Sequence, residues 1–316
     1  MTLHPALEAL QGVNVQRGVP LSQYTRFSIG GPADFFIESS EESVFLQALR
    51  NVRASGLPYL VLGGGTNLIV ADEGYRGVIL RYTGAELNGE GGVIHVAAGA
   101  VLQHLVDFSI AQALEGLHTM TGIPGWVGAA IYGNAGAYGH SISEFVDTVR
   151  FFDGERIRCA NRTECEFGYR ESIFKRHKDW IVLSAVLRLP AGDAVLLRHE
   201  ASRILSTRNA KYPPTMKCAG SIFKNLLVRQ LTADVQSQVP AAVVREGKVP
   251  SAWFLEQVGA KGMRRGGIVV ADYHANLIYN EGGGTSTELR AVIRELKARV
   301  KEHFGLEIEE EVQFVG

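Results

Sequence analysis

The sequence predicts an α+β protein divided into two or three lobes. Its 316 residues are too many for a single small hydrophobic core. Apolar residues at helical spacing and short apolar runs of strand length follow one another along the chain. Glycine contributes 36 residues, and because glycine lets the backbone come close to a bound molecule, ligand-binding loops are expected as well.

The first predicted lobe covers residues 1–83 and combines a helix with short strands. Residues 39–42, Ser-Ser-Glu-Glu, have the pattern of a capping box, so a helix is expected to begin there and to carry apolar residues on one face up to Val52. Residues 59–62 predict a strand that runs directly into three glycines, and residues 78–80 predict another strand.

Residues 84–208 form the second predicted lobe and residues 209–304 the third. The boundary lies where Tyr212, Pro213 and Pro214 interrupt a preceding helix. The second lobe is expected to hold strands at residues 93–96, 146–152 and 181–189 and a helix over residues 102–113. The third is expected to hold a short helix at residues 251–258, mainly strand at 267–280, and a long helix opened by a capping box at 285–288.

The C-terminal tail alternates between apolar and polar residues. Ile308, Val312 and Phe314 share one face of a predicted strand, and Glu311 lies on the other face. The tail, residues 305–316, is expected to return to the first lobe.

Composition and charge argue against several classes of function. Lys and Arg total 32 against 33 for Asp and Glu, so no net field would attract nucleic acid or a membrane surface. Cys159, Cys165 and Cys218 cannot form a disulfide framework, and neither a Cys-x-x-Cys pair nor the spacing of the nine histidines indicates a metal. Since no disulfide framework, signal peptide or membrane-spanning apolar run is evident, the cytoplasm is the expected compartment. The chain is also expected to be a monomer.

The strand followed by glycines has the form of a phosphate cradle. Successive small residues let backbone N–H groups converge on an anion, and two polar side chains add donors. The candidate residues are Gly63, Gly64, Gly65, Thr66, Asn67 and Leu68. A tight turn between two strands is the alternative. No strand is followed by G-x-G-x-x-G and no G-x-x-x-x-G-K-[ST] occurs, so a Rossmann nicotinamide domain and P-loop chemistry are unsupported.

A second run of small residues favours the ligand interpretation. In residues 121–139, Pro124 can stand at a helix start and Gly128 allows close packing. The candidate contacts are Thr121, Gly122, Pro124, Gly125, Gly128, Asn134, Ala135, Gly136 and Ala137. The alternative is a packed Gly/Ala-rich helix followed by a turn. Two such segments in one chain favour a flat, extended cofactor lying against backbone.

Three residues are candidates for charge stabilisation and proton transfer. Arg170 is a permanent cation that can clamp a carboxylate, unless it is a surface arginine paired with Glu166 or Glu171. Ser221 follows a glycine and could protonate a forming carbanion, unless it is a structural serine in a turn. Glu311 lies on the polar face of the last predicted strand, where a solvated glutamate is the alternative.

Eight motifs, in order along residues 20–316, resemble those of the UDP-N-acetylenolpyruvoylglucosamine reductases. They are Y-T-R-F-S-I-G-G-P-A-D from Tyr24, L-G-G-G-T-N from Leu62, G-I-P-G-W-V-G-A-A from Gly122, N-A-G-A-Y-G from Asn134, G-Y-R-E-S from Gly168, A-G-S-I-F-K-N from Ala219, H-A-N-L-I-Y-N from His274 and the terminal E-V-Q-F-V-G. Each motif alone is weak evidence, whereas eight in register are specific.

The resemblance implies a fold with two FAD-binding lobes of the vanillyl-alcohol-oxidase (PCMH) type and a C-terminal α+β substrate-binding domain. It implies non-covalent FAD with NADPH as reductant, held by both runs of small residues and by Val182. The implied reaction is the reduction of UDP-N-acetylglucosamine enolpyruvate to UDP-N-acetylmuramate in peptidoglycan precursor synthesis.

The same resemblance implies roles for single residues. Flavin N5 would deliver a hydride to C3 of the substrate, and Ser221 would protonate C2. Arg170 and Glu311 would stabilise the enolic intermediate. Substrate contacts are expected from Lys211, Lys224, Asn225 and His274.

Two features depart from the family pattern. Leu226 follows the F-K-N motif where proline is usual, which affects the expected placement of Lys224. The interval from Arg170 to Ser221 is short, as in the family's second type, which lacks an inserted loop with a substrate-clamping tyrosine. The alternatives are an FAD-dependent oxidase of a hydroxy acid or sugar alcohol, and a non-catalytic nucleotide-binding homologue.

Overall fold

The computed structural model describes residues 10–316 and divides into two compact units. The first unit comprises the chain up to Val19, Ala33–Gly64 and Arg76–Pro213; the second comprises Pro20–Pro32, Gly65–Tyr75 and Pro214–Gly316. Both units mix helices with strands, so the α+β class is confirmed. The three-lobe boundaries at residues 83 and 208 stay a prediction.

Strands and helices are numbered here in chain order over the described residues. The strands are β1 Asn14–Pro20, β2 Pro32–Ser39, β3 Tyr59–Val61, β4 Leu68–Val70, β5 Tyr75–Tyr82, β6 Leu87–Glu90, β7 Val93–Ala97, β8 Gly136–Ala137, β9 His140–Ser141, β10 Val146–Phe152, β11 Ile157–Asn161, β12 Ile181–Arg188, β13 Leu226–Leu227, β14 Lys248–Val249, β15 Arg264–Arg265, β16 Ile268–Val270, β17 Ile278–Asn280 and β18 Gln313–Val315. The α-helices are α1 Glu42–Ala54, α2 Leu102–Ala111, α3 Val127–Tyr132, α4 Ile173–Arg176, α5 Ala194–Lys211, α6 Ala233–Gln238, α7 Ser251–Gln257 and α8 Ser286–Phe304. Short 3-10 helices occur at Leu21–Tyr24, Leu117–Met120, Ile142–Glu144, Val228–Gln230 and Ala241–Val243.

The first unit is built on two sheets. Strands β1, β2, β5 and β3 form one sheet in that order, with β3 parallel to β5. The other sheet has the order β11, β10, β12, β7, β6, and each neighbouring pair is antiparallel. Helix α1 buries Phe45, Leu49 and Val52 in the same core cluster as these sheets. The burial of these three residues confirms the predicted apolar face. Each side chain contributes roughly 1.5–3 kcal/mol of burial free energy.

The capping box predicted at residues 39–42 is wrong. Helix α1 has Glu41 as its N-cap residue, without a side-chain cap hydrogen bond. Ser39 ends β2 instead, and its hydroxyl donates to the Gly12 carbonyl at 3.1 Å and accepts from the Glu41 N–H at 3.3 Å. The helix was predicted from its apolar face, whereas the serine has a partner in the turn before β1.

The second unit contains three small sheets and the long helix α8. The sheets are β4 with β18, β13 with β14, and β15 with β16 and β17. The predicted capping box of α8 is present: the Thr285 hydroxyl accepts from Glu288 N at 3.1 Å, and Glu288 Oε2 accepts from Thr285 N at 3.0 Å. The segment predicted as mainly strand at 267–280 contains two short strands, β16 and β17, joined by a turn.

Asp72 adds a cap to helix α8 from a distant part of the sequence. Its Oδ1 accepts from Ser286 N at 2.7 Å, and its Oδ2 accepts from the backbone N and hydroxyl of Thr287 at 2.9 and 2.7 Å. Burial acts to raise the pKa of Asp72, but these hydrogen bonds and the charge of Arg290 outweigh it and lower the pKa. The carboxylate therefore favours the folded state while it is ionised.

The tail does not form the alternating strand predicted for residues 306–314. Only β18 is a strand, paired in parallel with β4 so that Phe314 lies opposite Ile69. Ile308 and Val312 are buried as expected, but Phe314 is exposed and Val315 takes the buried position. The Phe314 ring instead has the Arg290 guanidinium 4.4 Å above its centroid.

Candidate functional site

The two predicted runs of small residues meet in the first unit. A Cβ atom added at Gly64 would lie 3.2 Å from Cα of Gly125 and 3.3 Å from Cδ1 of Trp126. A Cβ at Gly63 would lie 3.6 Å from the Cβ of Ala129. The two loops therefore approach each other backbone to backbone, which only residues without large side chains permit.

Backbone hydrogen bonds fix the second run against helix α2 and strand β7. The carbonyl of Gly125 accepts from Leu102 N at 2.9 Å, and Gly128 N donates to the Ala98 carbonyl at 2.9 Å. A Cβ at Gly128 would lie 2.8 Å from that of Ala98, so the predicted close packing is confirmed. Gly122 and Gly125 have φ of 76° and 125°, which glycine adopts without strain.

Pro124 does not stand at a helix start. Helix α3 begins at Val127, and its N-cap residue is Trp126. The helix begins after Trp126 because that residue forms an isolated antiparallel bridge with Val101 and has an extended backbone. Thr121 is buried, and its hydroxyl donates to the His118 carbonyl at 2.7 Å.

The first run continues into the second unit at Gly65. Gly65 has φ of 64°, and a Cβ there would overlap the carbonyl oxygen of Tyr24, so glycine is required. Asn67 follows the half-buried Thr66, and its side-chain amide donates to the Glu311 carbonyl at 2.9 Å. Gln313 N donates to the Asn67 carbonyl at 3.0 Å, and Leu68 then begins β4. The turn is thus bonded to the C-terminal tail.

Arg170 lies against the later part of the second run of small residues, at Asn134 and Gly136. Its Nη2 donates to the Gly136 carbonyl at 2.9 Å, and its Nη1 lies 3.5 Å from the Asn134 carbonyl. Asn134 is buried and donates through Nδ2 to the Gly168 carbonyl at 2.8 Å. Arg170 and Asn134 both have positive φ, at 58° and 44°. The strained backbone and the carbonyl bonds together orient the guanidinium.

The glutamates proposed as partners of a surface Arg170 have other cations. Glu166 forms an ion pair with Arg176, and Glu171 pairs with Lys175 at 2.9 Å. Lys175 Nζ also donates to the Arg170 carbonyl at 2.7 Å. Lys175 thus holds the backbone of Arg170, while the Gly136 and Asn134 carbonyls hold its side chain. Ala135 and Ala137 lie beside it, where Ala137 pairs with His140 in the β8–β9 hairpin.

In the second unit, Ser221 and Glu311 lie on neighbouring extended segments. Glu311 N donates to the carbonyl of Ile222, the residue after Ser221, at 2.7 Å. Ser221 itself forms an isolated bridge with Leu277. Buried Asn276 holds the backbone of Phe223, two residues after Ser221. Its Oδ1 accepts from Phe223 N at 2.8 Å, and its Nδ2 donates to the Phe223 carbonyl at 2.9 Å.

The predicted substrate residues of the second unit surround the same segments. Lys224 N donates to the Glu309 carbonyl at 2.9 Å, and its Nζ lies 3.1 Å from Glu309 Oε2. Asn225 accepts from Ser251 N through Oδ1 at 3.3 Å. His274 lies in the turn between β16 and β17. Lys224 and Asn225 directly continue the extended segment that carries Ser221.

The other two predicted site residues, Lys211 and Val182, lie in the first unit. Lys211 is the last residue of α5, with Nζ 5.0 Å from the centroid of the Tyr212 ring. Val182 is a buried residue of β12, paired with Phe151 of β10.

A buried thiol lies near Ser221. Burial raises the pKa of the Cys218 thiol, although a hydrogen bond from Gly220 and the charge of Arg26 act in the opposite direction. Cys218 therefore stays a neutral thiol at physiological pH and does not compete with Ser221 as an ionised group. Within residues 10–316 no group of three or more His, Cys, Asp or Glu could hold a metal ion.

Sequence reasoning missed several residues that position the site. Gln103 accepts from Gly122 N through Oε1 at 2.7 Å. Trp126 lies against Gly63 and Gly64 and has the Arg81 guanidinium 4.5 Å from its ring centroid. Asn276, inside the His-Ala-Asn motif, clamps Phe223. Periodicity reveals none of these roles, because each is a side-chain contact between segments that are distant in sequence.

Comparison with known proteins matches both halves of the chain. Residues 212–315 match the family model "UDP-N-acetylenolpyruvoylglucosamine reductase, C-terminal domain", and residues 33–159 match "FAD binding domain". In the described part of the chain, none of the helices is both long and apolar enough to cross a membrane.

Similar proteins cover almost the full length. The UDP-N-acetylenolpyruvoylglucosamine reductase of Solibacter usitatus is 61% identical over 310 residues, covering 98% of this chain and 99% of that protein. The reductase of the same name from Rubrobacter xylanophilus is 36% identical over 304 residues, covering 94% of each. The crystal structure of the reductase (MurB) from Thermus caldophilus superimposes with a TM-score of 0.75 at 27% identity, covering 96% of this chain and all of that one.

Proposed function

Since the chain belongs to the UDP-N-acetylenolpyruvoylglucosamine reductase family, we propose that Arg170, Ser221 and Glu311 are its catalytic residues. The chain is an FAD-containing oxidoreductase that uses NADPH to reduce the enolpyruvyl ether of a UDP-sugar. The observation that supports this activity is the 61% identity to the Solibacter usitatus reductase, which extends over 98% of this chain. The residue roles below are supported by contacts within each unit.

The residues of the two glycine-rich runs fit an FAD diphosphate. Gly64 approaches Gly125 so closely that a Cβ would lie 3.2 Å away, and Gly122 keeps a positive φ. Small residues on both sides let the backbone itself come close to a bound anion. We assign residues 63–68, 121–128 and 134–137 and Val182 to cofactor binding. Bound FAD would supply hydride transfer from NADPH to C3 of the substrate.

Arg170 stabilises negative charge on the substrate carboxylate. A guanidinium stays protonated at physiological pH and presents several donors in one plane. The carbonyls of Gly136 and Asn134 hold its direction before substrate binds. A donor oriented in advance lowers the barrier, because no reorganisation is needed as charge develops.

Ser221 donates the proton to C2, and Glu311 supports charge at the same centre. The Glu311 N–H to Ile222 carbonyl bond ties the two segments at 2.7 Å, and this bond is the main structural support for the assignment. Asn276 holds the Ser221 segment from its other side. A serine is a weak acid, so its transfer depends on such fixed placement beside the forming carbanion.

Lys211, Lys224, Asn225 and His274 are proposed to contact the UDP-sugar. Lys224 is already held by an ion pair with Glu309, which shows that it can face an anionic oxygen at 3.1 Å. We further propose that the chain acts as a monomer in the cytoplasm, where its three unpaired cysteines would stay reduced.

Anaerobic stopped-flow spectroscopy tests the proposed function. The purified yellow protein is mixed with NADPH and then with the enolpyruvyl UDP-sugar. Loss of the flavin absorbance with NADPH, followed by rapid recovery with the substrate and slow recovery in air, is the expected result. Rapid recovery in air without response to the substrate would favour an oxidase, and a colourless protein that binds no FAD would favour a non-catalytic homologue.

A further inference from the structure

His118 is a buried histidine directly before the second glycine-rich run. It lies in the 3-10 helix Leu117–Met120, and only 5% of its surface is exposed. It borders a cavity of about 450 Å³ that is also lined by Glu200 and Arg203 of helix α5. None of the catalytic assignments above uses this residue.

The hydrogen bonds of the imidazole define its tautomer. Nδ1 accepts from Gly116 N at 3.2 Å, so in the neutral ring the proton resides on Nε2. Nε2 faces Glu200 Oε2 of helix α5 at 3.3 Å. One ring thereby connects the turn at Gly116 with helix α5.

The backbone of the same residue holds the start of the glycine-rich run. The His118 carbonyl accepts from Thr121 N at 3.2 Å and from Thr121 Oγ1 at 2.7 Å. The next residue, Gly122, donates to Gln103 Oε1 at 2.7 Å. A displacement of His118 would therefore be transmitted to Thr121 and to the run that follows it.

We propose that His118 is a positioning residue for the FAD-binding run 121–128, held by Glu200 through its side chain and acting through Thr121. The inference rests on the proposed cofactor role of that run. Glu200 is nearly half exposed, with 46% of its side chain accessible, so its removal leaves the core intact. The histidine, by contrast, is buried, with one ring hydrogen bond to Gly116 N, a ring contact with Glu200 and two bonds from Thr121 to its carbonyl.

FAD titration of the full-length apoprotein tests the proposal, with the absorbance spectrum of the bound flavin as the second measurement. His118→Phe keeps a ring but loses the Nδ1 hydrogen bond and the Nε2 contact with Glu200, and a rise of about tenfold or more in the FAD dissociation constant is expected. Glu200→Ala should raise it about threefold, and both variants should shift the flavin spectrum. His118→Gln, whose amide can donate to Glu200, should recover part of the affinity.

Matched variants separate positioning from general destabilisation. His199→Asn removes an exposed histidine of the same helix and should leave FAD affinity and spectrum unchanged. Gly125→Ala tests the cofactor run itself, because it places a side chain at φ of 125°. Weaker FAD binding in Gly125→Ala, His118→Phe and Glu200→Ala alike would support the proposal.

Three results would overturn the positioning role. A folded His118→Phe protein that binds FAD with wild-type affinity and spectrum would do so, even if its melting temperature falls. If His118→Phe does not fold, an unchanged FAD dissociation constant in Glu200→Ala would overturn the positioning role instead. Unchanged binding in Gly125→Ala would show instead that the assignment of the run to FAD is wrong, and the positioning role would fail with it.

Discussion

The side-chain amide of Asn67 donates a 2.9 Å hydrogen bond to the backbone carbonyl of Glu311, 244 positions later in the sequence. Gln313 N returns a bond of 3.0 Å to the Asn67 carbonyl. A residue of the predicted phosphate loop therefore fixes the backbone of a proposed catalytic residue.

Asn67→Asp should remove the hydrogen bond to the Glu311 carbonyl without changing the size of the side chain, because aspartate has the same shape but no N–H donor. A carboxylate oxygen facing the Glu311 carbonyl leaves that acceptor unsatisfied, so a loss of about 1–3 kcal/mol in unfolding free energy is expected. Urea unfolding at pH 7 measures it. Asn209→Asp, the same change at an exposed position of α5, is the control and should lie close to wild type.

Ser221→Ala should slow the reaction with substrate while leaving reduction by NADPH intact. Loss of a positioned general acid costs on the order of 10²–10⁴ in rate. Single-turnover reoxidation of the NADPH-reduced enzyme by the enolpyruvyl UDP-sugar measures this step. Ser206→Ala, at an exposed site of α5, should behave as wild type. A Ser221→Ala enzyme with full turnover would exclude Ser221 as the proton donor.

Arg170→Lys should keep the charge but lose the planar donors that bind the Gly136 and Asn134 carbonyls. The rate with substrate is expected to fall on the order of 10²–10³, as for removal of one oriented donor to a developing anion. The NADPH half-reaction, followed in the same instrument, should change little. Arg198→Lys at an exposed position is the matched control. If the two variants reoxidise equally fast, Arg170 has no role that requires a guanidinium.

Asp72 should make stability depend on acidity. Its hydrogen bonds lower its pKa in the folded state below the value near 3.9 of an unfolded chain. The stabilisation is therefore complete above the unfolded pKa and is lost as the pH falls through the folded pKa. Asp72→Ala should cost about 1 kcal/mol at pH 7, the usual size of a lost helix cap.

Denaturant unfolding of the wild type and Asp72→Ala at pH 7 and at pH 2 measures this dependence. The difference between the two proteins should shrink at the lower pH, since the stabilisation by the ionised carboxylate is lost as the pH falls through the folded pKa of Asp72. Asp179→Ala, at an exposed position, should show no such difference. A gap that is equal at both pH values would mean that Asp72 stabilises by packing and not by charge.

Local patterns predicted the elements of this fold better than their ends. Helix α8 was predicted with its cap because the side chains of Thr285 and Glu288 bond to each other's backbone N–H, three residues apart in the sequence. Helix α1 was predicted without its true start, because Ser39 bonds to Gly12 in another segment. Phe314 left the predicted face for the same reason: the position of Arg290 over its ring cannot be deduced from alternation.

The candidate site divides in the same way. Glycines required by close approach, such as Gly64 and Gly65, were predicted because few other residues serve there. The contacts that orient Arg170 and Ser221 were not, since the carbonyl of Gly136 and the amide of Asn276 carry no signal in the sequence. Those partners become evident only when the chain is folded.

The pairing of β4 with β18 has a consequence for biosynthesis. As the chain leaves the ribosome, Leu68–Val70 emerges early, yet the strand it pairs with, Gln313–Val315, is made only after every segment of the first unit. Every segment of the first unit has been translated by Pro213, so that unit can fold on the nascent chain. In the second unit, β4 keeps an unpaired edge until β18 has been made, and this interval is where misfolding and the need for chaperones should concentrate.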